Sequence, residues 1–162
     1  MLLAPAATAQ QPDFATLSSQ VEIRRTAYGV AHIKAQNLRA AYYALGYIQL
    51  EDHGPRIAHG LLRARGEYGR FFGRDSMESD FVARHGYRIA VQRYPTLDQE
   101  TRDAYEGFAA GVNRYIATHP QEFPEGFAPG FTGYDIAARD VNTVTPAAKP
   151  SYASRVSWSS VG

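Results

Sequence analysis

The chain has 162 residues, of which 44% are hydrophobic and 20% are charged, a composition typical of a folded domain and not of a disordered one. Its net charge of +1 is close to balanced and gives no reason to expect nucleic acid or an acidic membrane surface as a partner. The absence of cysteine excludes disulfides and thiolate metal sites. Eleven tyrosines and eight phenylalanines supply large contact surfaces, which suit a packed core, an interface or a pocket.

The first twenty residues are predicted to be poorly structured. They begin MLLAPAATAQQ, and Ala7-Thr8-Ala9 before Gln10 gives the small-x-small pattern of a signal-peptidase site. This pattern favours the remainder of an export signal, and hence a periplasmic or secreted protein; a flexible Ala- and Pro-rich terminus is the alternative. No apolar segment approaches the ~20 residues that are needed to span a bilayer.

A hairpin and a helix are predicted next. Apolar and polar residues roughly alternate from Val21 to Thr26, and a second β-prone run covers Val30 to Ala35. The short connection that contains Gly29 is typical of a hairpin turn. Asn37 is then positioned to cap a helix. The apolar stripe of this helix is predicted from residues at helical spacing: Leu38, Ala41, Tyr42, Leu45 and Ile48.

The remainder of the chain is predicted to be mainly helical. Helices are expected over residues 56–65, from Glu78 to Arg93, and from a capping box of Thr96 and Gln99 to about residue 119. The segment GEYGRFFGRDS predicts a turn or short helix packed by its two phenylalanines, Phe71 and Phe72. Thr132 is positioned to cap a short last helix that starts near Tyr134.

No catalytic constellation is visible in the residues themselves: the sequence has no Gly-x-Ser-x-Gly, His-Glu-x-x-His or calcium-loop pattern. His53 and His59 are six apart, a spacing that poorly matches one helical face and so does not favour a metal pair. Adjacent carboxylates at Glu51 and Asp52 point in different directions on a helix, and Arg56 is their expected partner. The residue pattern alone predicts a helix-rich domain with a leading hairpin, and it assigns neither a catalytic residue nor a metal ligand.

Four segments nevertheless carry a resemblance to a known family. IRRTAYGVAHIKAQN, YALGYIQLEDH, LLRARGEYGRFFG and YEGFAAGVNRYI resemble, in order and spacing, the α chain of the penicillin acylase family of N-terminal-nucleophile hydrolases. The resemblance covers Val21 to Val141, and the pattern is most similar to the branch that removes long acyl chains from acyl-homoserine lactones or lipopeptides. Ala31 stands where the family usually has proline, a change expected to soften the second strand.

The resemblance implies an α+β fold: a helix-rich α subunit with a short N-terminal β-hairpin, contributing to an αββα sandwich that a separate β chain completes. It implies a precursor that cleaves itself, and a serine at the new N-terminus of the β chain as nucleophile. Catalytic residues are therefore expected on the β chain and none here, and no cofactor is implied. The implied reaction is hydrolysis of the amide of N-acyl-homoserine lactones, with β-lactam side-chain amides such as that of penicillin as further substrates. A cyclic-lipopeptide or cephalosporin acylase α chain, or a non-catalytic helical binding module, is the alternative.

The same resemblance implies site residues and boundaries. The segment YDIAARDVNTVTPAA matches the last α-chain helix of the family, which places pocket-facing positions at Val144, Ala147 and Ala148. Small residues there would leave room for a long acyl chain; a spacer without contacts is the alternative. Gly162 is expected at or near the processing point, unless the end is arbitrary. The predicted organisation is a signal-peptide remnant and flexible start over residues 1–20, an acylase α-chain domain over 21–145 and a C-terminal tail near the processing site over 146–162.

Overall fold

The computed structural model describes the backbone of residues 14–144 and the side chains of residues 14–141. Helices dominate this part of the chain, and its sheet is a single antiparallel pair of strands. The elements follow in the order α1 (Phe14–Ser19), β1 (Val21–Arg25), β2 (Ala31–Ala35), α2 (Leu38–His53), α3 (Arg56–Arg65), α4 (Tyr68–Phe72), α5 (Met77–Arg93), α6 (Gln99–Thr118) and α7 (Gly133–Val144). The predicted helix-rich chain with a leading hairpin is thereby confirmed.

The helix α1 lies where the sequence predicted a poorly structured start, so that prediction was wrong for residues 14–19. Leu17 is buried and belongs to a small core with Ala40, Tyr43 and Ala110. A single apolar anchor in a six-residue helix is too short a pattern to be distinguished from a loop in the sequence.

The hairpin forms as predicted. Ile23 lies opposite Ile33 in the antiparallel register, and the N–H of Thr26 donates to the carbonyl of Val30 at 3.0 Å. Gly29 has a φ of 79°, a conformation that glycine adopts without the steric penalty of a side chain.

Helix α2 begins as predicted but buries a different face. The side chain of Asn37 accepts a hydrogen bond from the N–H of Ala40 at 2.8 Å, which confirms the cap. Of the predicted apolar stripe only Ile48 is buried, whereas Leu38 is 42% exposed. The buried residues of α2 are instead Ala40, Tyr43, Ala44, Gly46, Ile48 and Leu50.

Glycines explain this choice of face, because they let α2 and α6 approach backbone to backbone. A Cβ atom at Gly46 would overlap the carbonyl of Phe108, and one at Gly111 would overlap the carbonyl of Tyr43. Gly107 meets the carbonyl of Arg39 in the same way. Small residues thus form the contact between α2 and α6, and the spacing of large apolar residues in the sequence does not predict it.

The other predicted helices are present. Helix α3 has its predicted bounds and is followed by Gly66, whose φ of 76° gives a left-handed cap, whereas α5 and α6 start at other residues than predicted. The predicted capping box of Thr96 and Gln99 was wrong: Asp98 caps α6 by accepting from the N–H of Thr101 at 2.8 Å. The hydroxyl of Thr96 donates to the carbonyl of Arg93 instead.

The main core lies between α2, α3 and α6. Leu50, Leu61, Leu62 and Val112 are fully buried there. Helix α7 packs against α3, α5 and α6, so its position depends on three other helices. No helix within residues 14–144 is both long and apolar enough to cross a membrane.

Candidate functional site

The predicted pocket residues lie at the end of α7 and beyond it. Val144 is the last residue of this helix, and its side chain is outside the described residues. Ala147, Ala148 and the predicted processing residue Gly162 also lie outside the described residues. What the structure does describe is how α7, which leads to these positions, is held.

An ion pair anchors the first turn of α7. Asp135 is 0% exposed, and its two carboxylate oxygens accept hydrogen bonds of 2.6 Å each from Nε and Nη2 of Arg65 on α3. Two parallel bonds of this kind fix both the distance and the orientation of the partners. Burial opposes the charge of Arg65, but its hydrogen bonds to Asp135 and the negative charge of that residue raise the pKa of Arg65 above its usual value.

The same pair also holds the loop before α7. Arg65 donates to the carbonyls of Pro129 and Gly130, at 2.9 and 3.2 Å. Asp135 accepts from the N–H of Thr132 at 2.7 Å and from its hydroxyl at 3.1 Å. Thr132 therefore precedes the helix as predicted, but its side chain donates to Asp135 and does not accept from a helical N–H. The loop and the helix start are fixed as one unit.

Two further contacts tie this region to α6. Asn113 exchanges two hydrogen bonds with the backbone of Phe131, donating at 2.7 Å and accepting at 2.9 Å. The hydroxyl of Tyr105 donates to Asp140 at 2.6 Å. Burial, together with this bond and the charge of Asp140, raises the pKa of Tyr105 to about 12.

An open groove lies beside these contacts, between α2, α6 and α7. It has a volume of about 450 Å³. Its lining is mainly apolar and aromatic, with charged groups contributed by α7: Tyr42, Leu45, Tyr105, Phe108, Ile136, Arg139 and Asp140. Arg139 and Asp140 are exposed, and the hydroxyl of Tyr105 is bonded to Asp140, so the remaining lining of the groove is apolar or aromatic.

The other polar residues that the sequence analysis considered as site candidates make ion pairs or packing contacts within the chain. Glu51 and Asp52 both accept from the guanidinium of Arg25, so the predicted partner Arg56 was wrong and the pair ties the hairpin to α2. His59 packs against the rings of Tyr68 and Phe72, with centroids 5.7 and 4.4 Å away. Between residues 14 and 144 no group of three or more His, Asp or Glu side chains is arranged to hold a metal ion.

Comparison with known protein families shows which family this chain belongs to. The family model for penicillin amidase matches residues 20–159. The chain belongs to the penicillin amidase family. The resemblance carried by the four sequence segments is thereby confirmed.

Relatives within the family differ in what their names say they act on. The chain is 31% identical over 143 residues to acyl-homoserine lactone acylase PvdQ of Pseudomonas fluorescens, which covers 80% of this chain and 18% of that protein. It is 30% identical to penicillin acylase 2 proenzyme of Pseudomonas sp., over 63% of this chain and 13% of the relative. Aculeacin-A acylase of Actinoplanes utahensis is 34% identical, over 58% of this chain and 14% of the relative. The chain thus spans less than a fifth of the length of each of these relatives.

A solved structure supports the fold. The thermostable penicillin G acylase from Alcaligenes faecalis matches with a TM-score of 0.62 at 24% identity, over 76% of this chain and 71% of the solved chain. The architecture described above is therefore similar to that of a penicillin acylase.

Sequence reasoning did not single out Arg65 and Asp135. Each lies in a segment that mixes apolar and charged residues, LLRARGE and YDIAARD. A charged residue on the buried side of a helix needs a partner of opposite charge, and this signal was available in the sequence. The pairing itself was not, because 70 residues separate the two.

Proposed function

We propose that this chain is the α subunit of an acylase that hydrolyses the amide bond of N-acyl-homoserine lactones. The observation that carries the proposal is the 31% identity to an acyl-homoserine lactone acylase over 80% of the chain. Further relatives with the same name match at 30% and 31% identity.

The subunit role is supported by two coverage values. The chain spans 18% of the curated acyl-homoserine lactone acylase but 71% of the solved penicillin G acylase chain that it matches. A small chain separated from a larger one explains both values, and one relative is named a proenzyme. The partner is then the β chain of the same precursor, and the two chains together form the αββα sandwich.

The chemistry proposed for the β chain needs one serine. Its α-amine, with a pKa near ~8, takes the proton of its own hydroxyl while the oxygen attacks the amide carbon. The proton then passes to the leaving amine, which in the proposed substrate is homoserine lactone, and water hydrolyses the acyl ester that remains. Backbone N–H groups would stabilise the negative charge on the tetrahedral oxygen.

The contribution of this chain is to shape the acyl pocket. Val144, Ala147 and Ala148 are proposed to line its mouth, where short side chains leave volume for a long acyl chain. The Arg65–Asp135 pair supports this role, because it fixes the helix that leads to these residues. Gly162 is proposed to lie at or near the processing point.

An exported enzyme fits the residues that precede the described range. The small-x-small pattern at Ala7-Thr8-Ala9 supports removal of a signal before Gln10, and hence a periplasmic or secreted location. The domain boundaries proposed are the start over 1–20, the acylase α-chain domain over 21–145 and the tail over 146–162.

A second substrate class has its own support. Penicillin acylase 2 proenzyme and aculeacin-A acylase are both at least 30% identical to this chain, which favours side-chain amides of β-lactams and of lipopeptides as further substrates. An apolar pocket that reads the acyl group discriminates weakly between leaving amines.

The test is a substrate panel on the complete enzyme, expressed from the full precursor gene. Acyl-homoserine lactones of increasing chain length and penicillin G are incubated separately, and free fatty acid or phenylacetate is measured by mass spectrometry. The control is a precursor in which the first serine of the β chain is changed to alanine. Fatty-acid release that the control lacks supports the proposal. Release of phenylacetate alone would instead make the enzyme a penicillin acylase.

A further inference from the structure

Helix α2 carries apolar residues on two faces, and one of these faces is buried against α6. Its small residues pack against α6 at backbone distance, as the overlap predicted for a Cβ at Gly46 or Gly111 shows. Ala40 and Ala44 on this face are 0% exposed. No space remains between α2 and α6 for another element.

The second face consists of Leu38, Ala41, Tyr42 and Leu45, which recur at helical spacing. Leu38 is 42% exposed, and the other three are only half-buried. Tyr42 and Leu45 line the α2–α6–α7 groove together with Phe108 of α6 and Ile136 of α7. The groove continues this face sideways onto α6 and α7.

A helix that is apolar on both sides normally lies between two layers of structure. Within residues 14–144, α6 packs closely on the first face, and α1, α3 and the hairpin also contact α2. These contacts leave Leu38 exposed and the other three residues of the second face only half-buried. Since the relatives are more than five times longer than the matched segment, material for a second layer exists in the complete enzyme. We propose that an apolar segment of the larger β chain packs on the second face of α2 and inserts side chains into the groove. This inference rests on the proposed function, which supplies the β chain.

A protein segment fits the groove better than an acyl substrate does. Small-molecule sites combine an apolar pocket with a few convergent polar groups. Here the hydroxyl of Tyr105 is bonded to Asp140, and the described side chains include no buried polar atom without a partner. The groove is also open to solvent, as a surface for a helix or strand would be, and Tyr42 and Leu45 in its lining share one face of α2 with the exposed Leu38.

Thiol labelling tests the proposal, because this chain contains no cysteine. Leu38→Cys and Val91→Cys form a matched pair, since Leu38 is 42% exposed on α2 and Val91 is 38% exposed on α5. Each variant is made in the full precursor, the assembled enzyme is purified, and maleimide incorporation into this chain is followed by peptide mass spectrometry. Leu45→Cys is added as a probe of the groove.

We expect the thiols at positions 38 and 45 to react about tenfold or more slowly than the thiol at position 91 in the assembled enzyme. After dissociation in urea the three rates should converge. Equal native rates at positions 38 and 91 would overturn the inference, and so would protection that appears only when fatty acid is added. The same sample reports the proposed function separately: if no second polypeptide is present, the proposed function fails. Protection in a sample that contains this chain alone would make the face a contact between two copies and would also overturn the inference.

Discussion

Arg65 and Asp135 join α3 to α7 through two hydrogen bonds of 2.6 Å each, across 70 residues of sequence. The carboxylate is fully buried, and the guanidinium also holds two carbonyls of the loop before α7. This ion pair therefore helps to set the position of the last described helix, together with the packing of that helix on α3, α5 and α6. In the proposed enzyme this helix leads to the residues of the acyl pocket.

Removing one member of this pair should destabilise the protein strongly. Asp135→Ala leaves the guanidinium of Arg65 largely buried without its carboxylate, and such a loss costs about 3–5 kcal/mol of unfolding free energy. The urea midpoint of the purified enzyme measures the change. The control is Glu51→Ala, which removes one of the two exposed partners of Arg25 and should leave the midpoint nearly unchanged. Equal shifts in the two variants would contradict this account.

The contact between α2 and α6 should not tolerate a single added methyl group. Gly111→Ala would place a Cβ against the carbonyl of Tyr43, and relief of such overpacking costs about 1–3 kcal/mol of unfolding free energy. Gly60→Ala is the matched control, because a Cβ at that helical position meets nothing within 4 Å. It should stabilise the protein by up to about 1 kcal/mol, through higher helix propensity. The two urea midpoints should move in opposite directions, and a shift in the same direction would refute the packing argument.

These glycines also show where the sequence is informative and where it is not. The extent of α2 and its cap at Asn37 were predictable, because both depend on local chemistry. The packed face was not: large residues at Leu38, Tyr42 and Leu45 gave the stronger pattern, whereas Gly46 and Ala44 make the actual contact. Helical periodicity is detected from large hydrophobic residues. It therefore predicts burial of the face with Leu38, Tyr42 and Leu45, and it misses a close helix–helix contact that is made by small residues.

Stability should fall on acidification through His59. Burial, followed by the positive charge of Arg63, lowers the pKa of His59 below 6.5 in the folded state. The unfolded chain then binds the proton more readily than the folded chain. The contribution of neutral His59 to the free energy of unfolding is therefore fully present above pH 6.5, and it is lost as the pH falls through the lower folded pKa. His59→Gln should flatten this part of the profile when urea midpoints are compared between neutral and mildly acidic pH. A parallel profile in the variant would assign the acid sensitivity to other groups.

The cap of α2 should contribute through one hydrogen bond. Asn37→Ala removes the acceptor for the N–H of Ala40 and should cost about 1 kcal/mol of unfolding free energy. Asn37 also donates to the side chain of Gln20 at 2.7 Å, so Gln20→Ala serves as the control that removes only this second bond. Thermal unfolding of both variants separates the two effects. If Gln20→Ala is as destabilising as Asn37→Ala, the lost stability comes from the bond between Asn37 and Gln20 and not from the helix cap.

Long-range polar contacts mark the other limit of sequence reasoning. Arg56 is the nearest cation to Glu51 and Asp52 along the chain, yet both bind Arg25, which the hairpin brings to the end of α2. Thr96 and Gln99 match a capping box, but Asp98 lies closer to the first free N–H groups of α6 and replaces it. The family segments predicted the helix-rich fold with a leading hairpin, because their combined order is typical of one family, although no single segment identifies the residue that it contacts.

The denaturing mass spectrum of the native protein, purified through this chain from cells that carry the complete gene, tests whether the chain is a subunit of a larger enzyme. Two polypeptides are expected: this chain without its export signal, and a larger one whose first residue is serine. A single polypeptide, or a second one that begins with another residue, would contradict the assignment of this chain as the α subunit of an acylase.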